Sequence, residues 1–187
     1  MKHIRVSFGV AAAVLLLVSA TLLADTRQTK VAVATAPAVE ETPLSRQVRH
    51  QLVTLPWYSV FDNLEYSIEG DTVALSGQVN RPTMKSAAEA AVKGVAGVSK
   101  VLNNIEVLPL SPNDDRIRLA VYRTLFSASG LDRYAMSAVP SIHIVVKNGH
   151  VTLTGVVDRQ TDGWSAEILA KGVSGVFSVA NELRVRA

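Results

Sequence analysis

Three side chains in the last third of the chain, Trp164, Ile168 and Lys171, have types and spacing that suit contact with a membrane surface. If Ala166 faces the core, a rotation of about 100° per residue puts all three on the opposite face of a helix. Trp is favoured at headgroup level, an aliphatic side chain can enter the acyl region, and Lys can meet a phosphate. This face therefore predicts a lipid-binding site.

Two other interpretations of Trp164 stay open. Its ring could pack against another part of the same chain and hold two units together. It could also anchor a protein partner, since Trp is a preferred residue at interface hot spots. Asp162 and Glu167 are close in sequence and would repel anionic headgroups, which argues against the lipid interpretation. The sequence does not decide among these three interpretations of Trp164.

Residue patterns typical of catalysis or of cofactor binding are not found. The sequence has no phosphate-binding loop, nucleophile elbow or zinc-ligand spacing, and no pair of carboxylates in a predicted pocket. His143 and His150 share one face of a predicted hairpin, but the usual strand rise separates them by about 13 Å, too far to share a metal ion. His50 has no visible partner. We therefore predict a non-catalytic protein without a cofactor or a metal site.

One segment of the chain occurs twice. Val73 to Val107 recurs 78 residues later as Val151 to Val185, with 16 identities in 35 positions and no gap. Three glycine pairs stay in register: Gly77 with Gly155, Gly94 with Gly172, and Gly97 with Gly175. The chain therefore contains two copies of one small domain. We assign residues 43–110 to the first unit and residues 111–187 to the second.

Hairpin signals are the clearest local features of each copy. Asn148-Gly149 is the pair that best suits the positive φ angles of a type I′ turn. A two-residue turn there pairs Val146 with Val151, Ile144 with Leu153 and Ile142 with Gly155. Gly70-Asp71 takes this place in the first unit and pairs Ile68 with Val73, Tyr66 with Leu75 and Leu64 with Gly77. Every inward partner is apolar or glycine, which supports the register.

Helices flank each hairpin. The first helix of each unit is predicted to begin at Ser45 and at Asn113 or Asp114, because these residue types cap helices. The second helices are predicted at about residues 81–93 and 159–171. Each unit thus has the order α-β-β-α-β. This order predicts an α+β fold in which two helices cover one face of a three-stranded mixed sheet.

The repeated glycines also lead to structural predictions. Gly94 and Gly172 follow the second helices and are expected to close them in a left-handed conformation. Gly77 and Gly155 lie within strands and are expected to let a helix approach the sheet closely.

At these positions both units resemble the BON domain. The shared pattern is V-x-L-x-G-x-V, an Ala-rich helix, and then G-V-x-x-V-x-N-x-[IL]-x-V. The first unit supplies Val73, Leu75, Gly77, Val79, Gly97, Val98, Val101, Asn103, Ile105 and Val107. The second supplies Val151, Leu153, Gly155, Val157, Gly175, Val176, Val179, Asn181, Leu183 and Val185. The resemblance covers nearly all of the chain after residue 42.

Tandem members of this family include an osmotically inducible periplasmic protein and an outer-membrane lipoprotein that contacts anionic phospholipid through its second domain. The resemblance implies a non-catalytic envelope protein that binds phospholipid surfaces in envelope maintenance or osmotic stress. A periplasmic protein-interaction or chaperone-like module is the alternative. This chain has no cysteine and so lacks the lipidated cysteine of that lipoprotein. Lipid contact would have to come from the folded units or the N-terminal segment.

The first 24 residues have the layout of a secretory signal peptide. Lys2 and Arg5 precede an apolar run, and small residues follow it. The uncharged run from Val6 to Ala24 is 19 residues long, so an uncleaved membrane anchor is the alternative. Residues 25–42 are rich in Ala, Thr and Val and predict a flexible tether. We therefore predict export to the periplasm, with the chain either released there or retained by the anchor.

The charge of the chain limits its partners. There are 19 Lys and Arg against 16 Asp and Glu; without Lys2 and Arg5 the basic count is 17. No basic block interleaved with aromatics remains, so nucleic acid is not an expected partner. We expect an anionic phospholipid surface or envelope proteins instead. Small units have marginal cores, so docking of the two units is also expected.

The outer sheet faces of the two units carry opposite charges at equivalent positions. Glu65 and Glu69 lie on the first, and His143, Lys147 and His150 on the second. Such charges could guide docking, or they could be ordinary solvated groups of little energetic weight.

Overall fold

The computed structural model describes residues 42–137 and 139–186. Its helices and strands are α1 (Pro43–Val53), β1 (Asn63–Glu69), β2 (Thr72–Val79), α2 (Pro82–Lys93), β3 (Lys100–Asn103), β4 (Glu106–Val107), α3 (Pro112–Phe126), β5 (Ile142–Lys147), β6 (His150–Val157), α4 (Gln160–Lys171) and β7 (Ser178–Val185). The predicted signal peptide or anchor, residues 1–24, and the predicted tether up to residue 41 lie outside the described residues. Within the described part, no helix is both long enough and apolar enough to cross a membrane.

Each unit has the predicted element order, which confirms the α+β fold. In the first sheet β1 pairs antiparallel with β2, while β3 and β4 pair parallel with β2. In the second, β5 and β6 are antiparallel and β7 runs parallel to β6. The last strand of the first unit is interrupted at Asn104 and Ile105, whereas β7 is continuous. The interruption explains why the first sheet has an extra short strand.

The predicted hairpin registers are confirmed in both units. Ile144 lies opposite Leu153, and Tyr66 lies opposite Leu75. Asn148 and Gly149 have φ angles of 53° and 78°, as a type I′ turn requires. The inward partners of both hairpins are part of two separate hydrophobic cores, one for each unit.

The glycines have different roles from those expected. Gly94 and Gly172 have φ angles of −79° and −76°, so they continue the right-handed conformation and the left-handed expectation is wrong. A Cβ atom on Gly155 would lie 2.0 Å from the carbonyl oxygen of Ser141, and φ at this position is 117°. A Cβ atom on Gly77 would lie 2.1 Å from the oxygen of Asn63. These two glycines therefore accommodate the neighbouring strand and not a helix.

The N-terminal caps of the first helices also differ from the prediction. Ser111, and not Asn113 or Asp114, caps α3, because its side chain accepts a hydrogen bond from the Asp114 backbone N–H. Thr42 caps α1 in the same way, by accepting from the N–H of Ser45. In both helices a proline follows the cap and occupies the first helical position, where its missing N–H costs nothing.

Asp114 is buried and performs another task. Its two carboxylate oxygens accept hydrogen bonds from the backbone N–H groups of Asn148 and Gly149, each at 2.8 Å. The carboxylate therefore fixes the β5–β6 turn to the start of α3.

Residues 58–62, which we call the junction segment, connect the two units. They precede β1 in the first unit, yet Val60 is part of the second hydrophobic core and is only 7% exposed. Phe61 packs edge-on against Tyr122 of α3, with 6.0 Å between ring centroids. The N–H of Ile144 donates to the carbonyl oxygen of Val60 at 2.8 Å. The first unit thus supplies apolar side chains to the second core and covers part of the edge of β5.

Candidate functional site

The structure places Trp164, Ile168 and Lys171 together on the outer face of α4, which we call the Trp164 face. Trp164 is 56% exposed and Ile168 is 70% exposed. Ala166 and Ala170, on the opposite side of the helix, are fully buried. The helical spacing read from the sequence therefore gives the correct orientation of α4.

The structure does not support the interpretation in which Trp164 holds the two units together. The helix α4 packs against α3, β6 and β7, which all belong to the second unit. Contacts between the units are made instead by the junction segment and by the outer face of the second sheet. Trp164 is thus left available for a ligand or a partner.

Lys171 is engaged within the protein. Its Nζ lies 2.6 Å from Oε1 of Glu167, and Oε2 of Glu167 accepts a hydrogen bond from Asn181 at 3.1 Å. The bond from Lys171, followed by the bond from Asn181, holds the pKa of Glu167 below its usual value. These bonds attach the outer surface of α4 to β7.

The same network occurs in the first unit among Lys93, Glu89 and Asn103. It is therefore a structural property of the repeated domain and does not distinguish the second unit. The difference between the copies lies at Trp164 and Ile168, whose counterparts in the first unit are Ser86 and Ala90.

Asp162, the other acidic residue near the Trp164 face, is also paired. Its Oδ2 accepts hydrogen bonds from Arg133 at 2.5 Å and from the hydroxyl of Tyr134 at 2.7 Å. Both donors lie in the loop between α3 and β5, which is longer than its counterpart in the first unit. Leu131 and Tyr134 from this loop are buried in the second core. The loop therefore fixes the start of α4.

Part of the outer face of the second sheet is covered by the first unit. His143 is only 9% exposed, and its ring lies 5.6 Å from that of Tyr58 in the junction segment. Burial lowers the pKa of His143 and raises the pKa of Tyr58 to about 12. Lys147 forms an ion pair with Glu106 of the first unit at 2.5 Å. Among the described residues, no group of three His, Asp or Glu side chains is arranged as a metal site.

Two surface features were missed in the sequence. Arg46, Arg49 and His50 lie at i, i+3 and i+4 on α1 and form a basic face; their spacing was the available signal. Trp57 is 76% exposed, has a φ angle of 73°, and lies under the guanidinium of Arg81 at 5.7 Å. Trp57 stands out in the sequence only when the turns that follow the helices are compared with one another.

The comparisons with known proteins agree with the repeat. The profile of the BON domain matches residues 40–109 and again residues 113–187. Osmotically-inducible protein Y of Escherichia coli (strain K12) is 29% identical over 152 residues, which cover 79% of this chain and 74% of that protein.

Two solved structures of CdsD, a structural protein of the type III secretion system of Chlamydia trachomatis, show only a weak likeness. They are 13% and 12% identical to this chain, and each alignment covers 78% of it. The alignments take in 98% and 93% of those chains, with TM-scores of 0.32 and 0.31. The two profile matches, one on each copy of the repeated unit, together cover most of the sequence, and the chain belongs to the BON domain family.

Proposed function

We propose that this chain is a non-catalytic protein of the cell envelope that binds the surface of anionic phospholipid membranes through Trp164, Ile168 and Lys171. The observation that carries the proposal is the exposure of a Trp and an Ile one helical turn apart, where the first unit has Ser86 and Ala90. An indole ring suits the headgroup region, and an exposed aliphatic side chain gains free energy when it leaves water.

The charges around this face support the proposal. Glu167 and Asp162 would repel an anionic surface if they were unpaired, but each is bound to a cation of the protein, Lys171 and Arg133. The cation of each pair reduces the field of its carboxylate at the surface. Lys171 is 55% exposed and can still approach a phosphate while it remains bound to Glu167.

The biological setting follows from family membership and from the relative. Similarity to osmotically-inducible protein Y supports a role in the envelope under osmotic stress. The signal-like N-terminus supports a periplasmic location. Binding of an envelope protein is the second candidate function. It is favoured by the exposure of a second Trp, Trp57, in the first unit.

Co-sedimentation with vesicles tests the proposal. Residues 25–187 retain every residue that the structure describes and exclude the apolar N-terminal stretch, which would bind lipid by itself. We expect binding to phosphatidylglycerol vesicles, weaker binding to phosphatidylcholine vesicles, and a decrease with salt. Trp164→Ala should weaken binding by about tenfold, the equivalent of about 1.4 kcal/mol.

Leu119→Ala is the matched control, since Leu119 is an exposed apolar residue on α3 of the same unit. Binding should survive this change. If the unmodified chain fails to sediment with either lipid, or if Trp164→Ala binds as well as the unmodified chain, the Trp164 face is not a membrane site.

A further inference from the structure

Trp57, in the turn between α1 and β1, combines two unusual properties. Its side chain is 76% exposed, and its φ angle is 73°, a value at which a bulky side chain is a rare outlier. Among the described residues, the other non-glycine residue with a positive φ angle is Asn148, and asparagine tolerates this conformation. Backbone strain is concentrated at positions that contact ligands or substrates. Trp57 is therefore a candidate contact residue.

Arg81 covers one face of the indole ring. Its Cζ atom lies 5.7 Å from the ring centroid, which is a cation–π distance. Arg81 is exposed, and within residues 42–137 and 139–186 it forms no ion pair. Its guanidinium is therefore able to meet an external anion beside the ring.

Asp62 holds together the two segments that carry this pair. Its carboxylate accepts a hydrogen bond from the hydroxyl of Ser59, two residues after Trp57, at 2.8 Å. The same carboxylate accepts from the backbone N–H of Asn80, the residue before Arg81, also at 2.8 Å. Asp62 is only 2% exposed, so its charge is used inside the protein. These bonds position Trp57 and Arg81 before any ligand arrives.

The two segments that form this site contain no acidic residue. Asp and Glu are missing from residues 43–61 and from residues 72–88, which together carry four Lys and Arg. The Trp164 face differs, because Asp162 and Glu167 lie beside it in the sequence. Basic residues near a membrane surface are attracted to anionic headgroups. Trp57 is thus an exposed indole in a setting with charge of one sign.

We propose that Trp57 and Arg81 form a second contact with anionic phospholipid, on the first unit and separate from the Trp164 face. In the bound state the indole lies at headgroup level and Arg81 meets a lipid phosphate. An exposed Trp also suits a protein partner, but the charge around this ring favours the anionic surface. The inference rests on the membrane role proposed above and does not depend on the residues of the Trp164 face.

Fluorescence tests the contact directly. The sequence contains two Trp residues, Trp57 and Trp164, so Trp164→Phe makes Trp57 the single indole emitter. In this variant of residues 25–187, the emission should shift to shorter wavelength on phosphatidylglycerol vesicles, because the ring leaves water. Phosphatidylcholine vesicles should leave the emission unchanged. Absence of a shift at every concentration of phosphatidylglycerol overturns the proposal.

Two substitutions of Trp57 separate binding from folding. Trp57→Ala removes the ring, and Trp57→Gly removes the ring and also relieves the backbone. Both should weaken co-sedimentation with phosphatidylglycerol vesicles by about tenfold, because both lose the apolar area of the indole. Trp57→Gly should nevertheless be the more stable of the two, so equal losses of binding cannot come from misfolding. Unchanged binding of both variants overturns the proposal.

Arg81→Gln tests the cation of the pair. Its removal should weaken binding to phosphatidylglycerol vesicles by about fivefold. Lys100→Gln is the matched control, since Lys100 is an exposed cation of the same unit. It lies opposite Thr72, at the other end of β2 from Arg81 and about 23 Å away along the strand. Binding should survive the control, and an equal loss in both variants would show that net charge matters and the site does not.

Failure of this proposal can be distinguished from failure of the Trp164 face. If Trp164→Ala weakens vesicle binding and Trp57→Gly does not, the Trp164 face stands and the contact at Trp57 is overturned. If Trp57→Gly weakens binding and Trp164→Ala does not, the contact at Trp57 stands by itself. Binding that neither substitution alters overturns both.

Discussion

Trp57 and Gly130 occupy the same place in the two units. Each is the third residue of a turn that follows the first helix, and the turns are closed by hydrogen bonds from Tyr58 to Leu55 at 3.2 Å and from Leu131 to Ala128 at 3.1 Å. Their φ angles are 73° and 91°. The turns after α2 and α4 have glycine at this position as well, at Gly97 and Gly175. Trp57 therefore has a positive φ angle at the turn position where the other three turns have glycine.

The strain at Trp57 predicts that glycine is the better residue for stability. A left-handed conformation costs a residue with a Cβ atom about 1 kcal/mol. Trp57→Gly removes this strain, whereas Trp57→Ala removes the ring and keeps the strain. We expect Trp57→Gly to exceed Trp57→Ala by about 1 kcal/mol in free energy of unfolding, measured by urea titration. Equal stability of the two variants would show that the backbone is not strained.

The two classes of repeated glycine should respond differently to alanine. Gly155→Ala places a Cβ atom 2.0 Å from the Ser141 oxygen at a φ angle of 117°, so we expect a loss of about 3 kcal/mol. Gly172→Ala meets only ordinary contacts in a right-handed conformation and should be neutral or stabilising by about 0.5 kcal/mol. Thermal unfolding of both variants checks the difference, and a tolerated alanine at 155 would contradict the close strand approach.

The buried carboxylate of Asp114 should be important for stability. Asp114→Ala leaves the N–H groups of Asn148 and Gly149 without their acceptor, at a cost of about 3 kcal/mol. Asn113→Ala, one residue earlier and exposed, should change the free energy of unfolding by no more than about 0.5 kcal/mol. Amide hydrogen exchange at Asn148 and Gly149 should accelerate only in the first variant. A larger effect at position 113 would restore Asn113 as the cap of α3.

His143 should make stability depend on pH. Its pKa is lower in the folded chain than the ordinary value of 6.5, so the unfolded chain binds more protons in the interval between the two values. Stability conferred by the neutral ring is complete above about pH 7 and is lost as the pH falls through 6.5 and below. Asp62 is the acidic group that acts against the shift through its charge.

The measurement is the difference in melting temperature between pH 7.5 and pH 5.5. The unmodified chain should lose more stability over this interval than His143→Phe does. His50→Gln, at an exposed position on α1, serves as the control for the removal of a histidine from outside the second sheet. Identical pH profiles of the unmodified chain and His143→Phe would show that protonation of this ring does not oppose folding.

Local features were predictable from the sequence because they depend on neighbouring residues. The register of Ile144 with Leu153 follows from the two-residue turn and the alternation of apolar side chains. The exposure of Trp164 and Ile168 follows from helical spacing once Ala166 is placed in the core. Both arguments use side chains separated by a few positions, where backbone geometry allows only one arrangement.

Features that depend on contacts between distant parts of the chain were not predictable. His143 has the alternating position of a solvated strand residue, and its burial depends on Tyr58, which lies in the other unit. Asp114 has the position of a helix cap, and its role depends on a turn 34 residues later. The need for glycine at position 155 becomes apparent only when the oxygen of Ser141 is placed beside it.

The contribution of Val60 and Phe61 to the second core makes the two repeats depend on each other. A first unit that folds alone leaves these two side chains in water, because the core in which they pack belongs to the second unit. A chain that stops at residue 110 would display this apolar segment permanently, and a chain that starts at residue 111 would have a vacancy where Val60 belongs. The two repeats are alike in sequence, but each depends on the other for the complete burial of its apolar side chains.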